Sequence, residues 1–276
     1  LIVSKKTFQD KYADSKANAR NFVAGVVNAK KIDRRLYNDV SFVAYEVIKP
    51  ITKPSRQFAS LELLDIETVI NISKDNVDFL INKKCKLIVV ACNTATTNSI
   101  NFLRESYDLP FIGIEPAIKP AALNTKTGKI GVLATKGTLG SSLFEKTSNI
   151  HGNKVEIIEQ HGIGLVELIE KGIYSGSKID SLLKEYLNPM IENDIDKLVL
   201  GCTHYPLIKD SIKKIINESI EIIECSEAVA LQTERILIKS NLINSGAEKS
   251  EKLFYTNGNK NVLNSLLNNK FEILMV

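Results

Sequence analysis

From about residue 65 to the C-terminus, short apolar segments alternate with longer segments of helical period. The short segments are rich in Ile, Val and Leu, which is typical of strands buried on both faces of a parallel sheet. Strands are predicted at residues 87–91, 111–114, 130–133, 155–158, 198–200 and 220–223. Helices are predicted at residues 66–82, 94–105, 178–193 and 227–240, with Ser226 as the N-cap of the last. This alternation predicts an α/β fold with parallel sheets.

Two of the predicted strands end in closely similar motifs, each of which contains a cysteine. Lys86-Leu-Ile-Val-Val-Ala-Cys92-Asn93-Thr94 is echoed by Lys197-Leu-Val-Leu-Gly-Cys202-Thr203-His204. Ligands of open parallel sheets bind beyond the carboxyl ends of the strands. The repeat therefore predicts two pseudo-symmetric parallel-sheet halves, with both thiols in an active site between them.

The composition narrows the class of protein and its environment. No apolar run approaches the roughly 20 residues that cross a bilayer, and the first residues lack the order of a secretory signal, so we expect no membrane partner and a cytoplasmic location. The net charge is +4, with 36 basic and 32 acidic residues spread along the chain, which predicts no nucleic-acid partner. The four cysteines are too few and too widely spaced for a disulfide framework, so we expect free thiols.

The two motif cysteines suit proton transfer at carbon. Inverting a stereocentre next to a carboxylate requires one group that removes a proton from one face and another that delivers a proton to the opposite face. A thiol serves both roles when hydrogen bonds, a nearby cation or a helix N-terminus lower its pKa, and the polar residues after Cys92 and Cys202 are expected to do so. The helix start after Cys92 is a predicted anion site, and His204 can relay a proton near neutral pH.

Each cysteine also has a purely structural interpretation. A lone cysteine is most often a small buried apolar residue, and we expect this of Cys85 and Cys225. The matched positions of Cys92 and Cys202 at strand ends favour chemistry there instead. Cys202 and His204 would also suit two metal ligands, but no third ligand follows at a useful spacing, so we predict no metal site.

These motifs resemble those of the glutamate racemases, within the aspartate/glutamate racemase family. The second motif carries the more specific likeness, because related aspartate racemases usually have an acidic residue where this chain has His204. Further matches, in family order, are Gly113-Ile-Glu115-Pro116, Gly131-Val-Leu-Ala-Thr135 and Ala228-Val-Ala-Leu-Gln-Thr-Glu-Arg235. The resemblance covers residues 66–276.

The resemblance implies an enzyme that interconverts L- and D-glutamate without pyridoxal phosphate or any other cofactor. Its product would serve peptidoglycan synthesis, cell wall biogenesis and cell shape. Cys92 and Cys202 are implied as the proton-transfer pair, with His204 and Glu170 as auxiliary acid/base groups. The implied substrate-binding groups are Asn93, Thr94, Thr203, Thr135 and Thr138. Members of the family commonly form dimers, so a homodimer is expected.

The chain departs from the family at its N-terminal end. Neither the Asp-Ser-Gly motif nor the Pro-Tyr-Gly motif of the family occurs. Residues 5–60 instead resemble a fragment of the adenylation domain of NAD-dependent DNA ligases, without its Lys-x-Asp-Gly nucleophile, and a gene fusion explains both parts. We therefore predict an atypical segment at 1–65, an incomplete first half at 66–115 plus 209–276, and a second half at 116–208. A catalytically impaired relative, with a binding role or none, is the alternative function.

Overall fold

The fold is described from a computed structural model of the chain, over residues 65–152, 155–243 and 252–276. Only the backbone is described for residues 151–152 and for two short antiparallel strands, β1 (Ile2–Val3) and β2 (Val40–Ser41). The predicted ligase-like segment otherwise lies outside the described residues.

Helices and strands alternate through the described part of the chain. The helices are α1 (Ile66–Asn82), α2 (Asn93–Ser106), α3 (Ile118–Asn124), α4 (Lys136–Leu139), α5 (Ser142–Gly152), α6 (Leu165–Glu170), α7 (Ser177–Glu192), α8 (Lys209–Lys213), α9 (Ser226–Lys239) and α10 (Lys260–Leu266), with a 3-10 turn at Tyr205–Ile208. The strands are β3 (Ile88–Val90), β4 (Phe111–Gly113), β5 (Lys129–Ala134), β6 (Glu156–His161), β7 (Lys197–Gly201), β8 (Glu221–Ile223), β9 (Phe254–Thr256) and β10 (Ile273–Met275). None of the described helices is both long and apolar enough to span a membrane.

Residues 117–223, here called the Cys202 unit, form a continuous parallel sheet in the order β6-β5-β7-β8. The central strands β5 and β7 are buried along nearly their whole length, because helices cover both faces of the sheet. On one face, α7 contributes the fully buried Leu183 and Leu187 to the larger core. On the other face, Ile118 and Phe144 close a second core. The carboxyl end of β7, which leads into Cys202, is thereby fixed near the centre of the sheet.

Residues 65–114, here called the Cys92 unit, consist of the parallel pair β3–β4 packed with α1 and α2. Its core is smaller and includes the fully buried Leu103, and Leu143 of α5 packs against this core from the Cys202 unit. The strands β9 and β10 form a separate parallel pair. Tyr255 of β9 packs edge-on against Phe79 of α1, with 5.1 Å between the ring centroids. This ring contact ties the C-terminal pair to the Cys92 unit.

The predicted α/β fold with parallel sheets is confirmed, and the six predicted strands all occur with their ends shifted by at most three residues. The predicted N-cap of α9 is wrong. The chain turns from β8 directly into the helix, so that Ser226 is already its first residue and Cys225 is the N-cap. The strands β9 and β10 are not predicted by the alternation of apolar segments and helices. Strand β8 pairs with β7, so the boundary predicted at residue 208 does not coincide with the edge of this sheet.

Candidate active site

Both motif cysteines follow the carboxyl end of a parallel strand. Cys92 comes after β3 and is the N-cap of α2, where the backbone N–H of Ala95 donates a hydrogen bond to its Sγ over 3.5 Å. Cys202 comes after β7 and is 7% exposed. The two sulfurs interact, since negative charge on Cys202 raises the pKa of Cys92. The structure therefore brings the thiols within electrostatic range of each other.

Burial dominates the titration of Cys92. It raises the pKa of this thiol to about 11, against the opposing hydrogen bonds from the N–H groups of Ala95 and Thr94, and the charge of Cys202 adds to the rise. The expectation that polar neighbours lower the pKa of Cys92 is therefore wrong, because the desolvation of a charged sulfur outweighs these hydrogen bonds. At neutral pH the Cys92 thiol keeps its proton.

A chain of hydrogen bonds connects Cys202 to Glu170, the last residue of α6. Nδ1 of His204 lies 3.7 Å from Sγ of Cys202, and Nε2 of His204 is hydrogen-bonded to Oε1 of Glu170. Burial alone would lower the pKa of His204, but its hydrogen bonds to Cys202 and Glu170, together with their negative charges, raise it to about 10. His204 is therefore an imidazolium at neutral pH, with one N–H directed at the sulfur and the other at the carboxylate.

Tight packing fixes the loop that carries Cys202. Tyr205 is fully buried, and its hydroxyl donates a hydrogen bond to the carbonyl of Gly162 over 3.4 Å. A side chain at Gly162 would collide with this ring, and a Cβ at Gly201 would lie only 2.6 Å from Cβ of Ala134. The two glycines therefore let the loop after β7 approach the ends of β5 and β6, where the next site residues lie.

Three threonine hydroxyls form a mutually hydrogen-bonded group, here called the hydroxyl triangle, at the junction of the two units. Oγ1 of Thr94 lies 2.8 Å from Oγ1 of Thr135 and 3.2 Å from Oγ1 of Thr138, and the latter two oxygens are 3.0 Å apart. All three residues are buried. Thr94 belongs to α2 of the Cys92 unit, whereas Thr135 caps α4 of the Cys202 unit. Three adjacent hydroxyls can turn their O–H bonds toward an anion that enters the site.

Asn93 lies in the chain between Cys92 and Thr94, the first member of the hydroxyl triangle. The residue is 2% exposed, and neither Nδ2 nor Oδ1 of its side chain has a hydrogen-bond partner. A buried amide without partners costs free energy, so such a group in a cleft indicates a place for a polar ligand. Thr203 lies half-buried in the turn between Cys202 and His204.

The two remaining cysteines lie apart from this group. Cys85 is exposed in the turn after α1, so the expectation that it is buried is wrong, whereas Cys225 is half-buried against the second core of the Cys202 unit. Within residues 65–152, 155–243 and 252–276, no cluster of three or more His, Cys, Asp or Glu side chains has the arrangement of a metal site.

Asn98 also contacts the site region, through the carbonyl of Gly137. Its residue type and spacing give no functional signal in the sequence.

Comparison with known proteins places the site in a family context. Residues 65–233 match the profile of the Asp/Glu/Hydantoin racemase family. The chain is 40% identical over 201 residues to a glutamate racemase of Clostridium perfringens, which is 72% of this chain and 74% of the relative. The crystal structure of Escherichia coli glutamate racemase with L-glutamate and the activator UDP-MurNAc-ala superposes with a TM-score of 0.68 at 28% identity, over 78% of this chain and 83% of that chain. A glutamate racemase isoform of Bacillus anthracis gives 0.66 at 30% identity, over 78% and 82%.

Proposed function

Because the chain belongs to the Asp/Glu/Hydantoin racemase family and is an amino-acid racemase, we propose that it interconverts L- and D-glutamate through the thiols of Cys92 and Cys202, without a cofactor. The observation that carries the proposal is the pairing of two unlike thiols: one keeps its proton because of burial, and the other faces an imidazolium. A racemase needs this combination of one acid and one base in its resting state.

The proposed roles of the two thiols follow from the neighbours of each sulfur. The His204 imidazolium donates a hydrogen bond toward Cys202 and stabilises negative charge on that sulfur, while Cys92 remains a neutral thiol. Repulsion between two charged sulfurs opposes ionisation of both at once. The neutral Cys92 thiol and the imidazolium beside Cys202 therefore favour Cys92 as the first acid and Cys202 as the first base.

Racemisation then moves two protons and no other atoms. The Cys202 thiolate takes the α-proton of glutamate, the C–H electron pair is delocalised into the α-carboxylate, and the Cys92 thiol gives its proton to the opposite face of the carbon. The products are the opposite enantiomer, a Cys202 thiol and a Cys92 thiolate. In the reverse direction, Cys92 is the base and Cys202 is the acid, so one site serves both enantiomers.

Substrate binding is proposed for the groups around Cys92. The hydroxyl triangle and the unpartnered amide of Asn93 together offer donors for carboxylate oxygens. Asn93 and Thr94 lie at the start of α2, whose N-terminal end favours negative charge. Donors that hold the α-carboxylate would also stabilise the charge that it gains when the α-proton leaves. Thr203 is proposed as a further contact from the Cys202 loop.

Glutamate is proposed as the substrate because the relatives above are named glutamate racemases and one structure contains L-glutamate. Supply of D-glutamate for peptidoglycan is the corresponding biological role. The presence of both thiols, with the His204 imidazolium beside Cys202 and a protonated thiol at Cys92, favours this activity over a catalytically impaired relative. A homodimer and a cytoplasmic location stay predictions.

The test is conversion of L-glutamate by the purified full chain after dialysis against EDTA and hydroxylamine, which removes metals and pyridoxal phosphate. We expect circular dichroism to decay to zero as the racemic mixture forms, with L-aspartate unchanged as the control substrate. An absence of D-glutamate would contradict the proposed activity. Activity that returns only when pyridoxal phosphate is added would contradict the two-thiol mechanism.

A further inference from the structure

The hydroxyl triangle joins two units whose relative position is not fixed by the sheet. Thr94 moves with α2 of the Cys92 unit, while Thr135 and Thr138 move with α4 of the Cys202 unit. Within the described residues, the strands of the two units belong to separate sheets. Some other contact must therefore hold the three hydroxyls at hydrogen-bonding distance.

Asn98 provides such a contact. It lies one turn after Thr94 on α2, and its side-chain Nδ2 donates to the carbonyl of Thr94 over 2.8 Å and to the carbonyl of Gly137 over 3.1 Å. The first acceptor belongs to the same helix and the second to α4 of the other unit. Nδ2 also lies 3.3 Å from Oγ1 of Thr97 on the same helix. Because an amide NH₂ has two hydrogens and the two carbonyls are its shorter contacts, both of these bonds can form at once.

The Gly137 carbonyl is available because α4 is so short. The backbone N–H of Ser141 bonds to the carbonyl of Thr138 rather than to that of Gly137. The carbonyls at the end of a helix need hydrogen-bond donors from outside the helix. Nδ2 of Asn98 is such a donor for the Gly137 carbonyl. Gly137 lies between Thr135 and Thr138 in the chain, so the bond acts on the backbone that carries both hydroxyls.

Apolar packing supports this junction without setting its geometry. Leu143 of α5 packs against the core of the Cys92 unit, of which Cys92 itself forms part of the rim. Such contacts are non-directional, whereas the two amide bonds fix a direction and a distance. The position of α4 relative to α2 therefore depends on directional bonds: the hydroxyl contacts of Thr94 and the bond from Asn98 to the Gly137 carbonyl.

We propose that Asn98 is a positioning residue that clasps α4 to α2 and so sets the hydroxyl triangle relative to the Cys92 thiol. The inference rests on the proposed function, because it takes the triangle as the site of the α-carboxylate. Loss of the clasp lets Thr135 and Thr138 move away from Thr94. Glutamate held by displaced hydroxyls would have its α-carbon out of alignment with Sγ of Cys92. A misplacement of about 1 Å can lower the rate roughly a hundredfold.

The variants are Asn98→Ala, which removes the donors, and Asn98→Asp, which keeps the shape but offers only acceptors. Asn101→Ala is the matched control, because Asn101 is exposed on the same helix. We expect kcat of both Asn98 variants to fall about ten- to hundredfold, with KM rising less than kcat falls, and Asn101→Ala to stay within about twofold.

Hydrogen exchange provides a readout that does not depend on activity. Amide exchange in residues 135–141 is expected to be about fivefold faster or more in Asn98→Ala, and unchanged in Asn101→Ala. Unchanged exchange would refute the clasp, and faster exchange with unchanged kcat would refute its positioning role. An unmodified chain that fails to racemise glutamate would instead refute the proposed function and the role of the clasp in it, while exchange still decides whether the clasp exists.

Discussion

The two units of the molecule hold their cysteines in different ways. In the Cys202 unit, the thiol follows the second of two central strands in a continuous four-stranded sheet, and side chains surround it: His204 and Glu170 supply charge, and Tyr205 fixes the loop. In the Cys92 unit, the thiol follows a strand of a two-stranded pair and receives hydrogen bonds from backbone N–H groups at the start of α2.

This difference indicates a division of labour between the two sides. The environment of Cys202 contributes charge, because its neighbours His204 and Glu170 are ionisable. The environment of Cys92 sets position, because the polar groups beside it are hydroxyls and amides that reach across to the other unit. Substitutions near Cys202 should therefore change the pH dependence of the racemisation rate. Substitutions near Cys92 should change the position in which the substrate is held.

The largest expected effect comes from removing either thiol. Cys92→Ser and Cys202→Ser should each lower racemisation at least about a hundredfold, because a serine hydroxyl is too weak an acid and base for this transfer at neutral pH. In D₂O, each variant should still exchange the α-proton of one enantiomer, and the two variants should exchange opposite ones. Cys85→Ser and Cys225→Ser are the controls and should stay within about twofold. A rate within about tenfold of the unmodified chain for either site variant would exclude that cysteine as a catalytic base.

The second effect is that of Glu170→Gln, which tests whether Glu170 acts through the charge of His204 or through the geometry of the site. The carboxylate helps to raise the pKa of His204 to about 10, and the proposed mechanism uses the imidazolium form. Activity should therefore fall as pH rises through this pKa, and in the variant the fall should begin at lower pH. Stability follows the same sign: the contribution of a raised histidine pKa is complete below the usual 6.5 and is lost as pH rises to about 10.

Rate profiles from pH 6 to 11 test this shift, with Glu167→Gln on the same helix as the control. If the alkaline limbs of the Glu170→Gln variant and the unmodified chain coincide, the charge on His204 is not set by Glu170. A uniform loss of rate at every pH would assign Glu170 a role in geometry instead.

The sequence predicts the chemistry of the two sides unequally. The matched apolar segments before Cys92 and Cys202 predict both strand ends, because a buried strand followed by a polar loop has a local signature. The raised pKa of Cys92 is not predictable in this way, since it depends on burial by residues distant in the chain. A role for Asn98 is equally hard to predict from the sequence, because its acceptor Gly137 lies 39 residues away and in the other unit.

The third effect compares the two cores. Leu187→Ala in the Cys202 unit and Leu103→Ala in the Cys92 unit each empty a fully buried position, and each should lower the free energy of unfolding by about 2–5 kcal/mol. Leu103 lies on α2 with Asn93 and Thr94, so its variant should also lower kcat/KM of the folded protein, whereas Leu187→Ala should not. Denaturant titration and steady-state kinetics measure both quantities. The control is Leu123→Ala, at a position 72% exposed, which should cost under about 0.5 kcal/mol. Equal kinetic losses in both core variants would contradict the special sensitivity of the Cys92 side.

The smallest effect concerns how the C-terminal strand pair is joined to the Cys92 unit. Nζ of Lys83 lies 5.5 Å from the ring centre of Phe79 on α1 and 5.1 Å from that of Tyr255 on β9, so one cation bridges the two elements. Such contacts at accessible sites contribute about 0.5–1 kcal/mol, and Lys83→Ala should lower the free energy of unfolding by about that amount. Lys74→Ala, at an exposed position of the same helix, should change it less. Hydrogen exchange should show faster opening of residues 254–256 in Lys83→Ala, while the strands of the Cys202 unit exchange as before. If amide exchange becomes faster in β9 and in the strands of the Cys202 unit together, the C-terminal pair is coupled to both units. The difference between the two units would then not include the C-terminal pair.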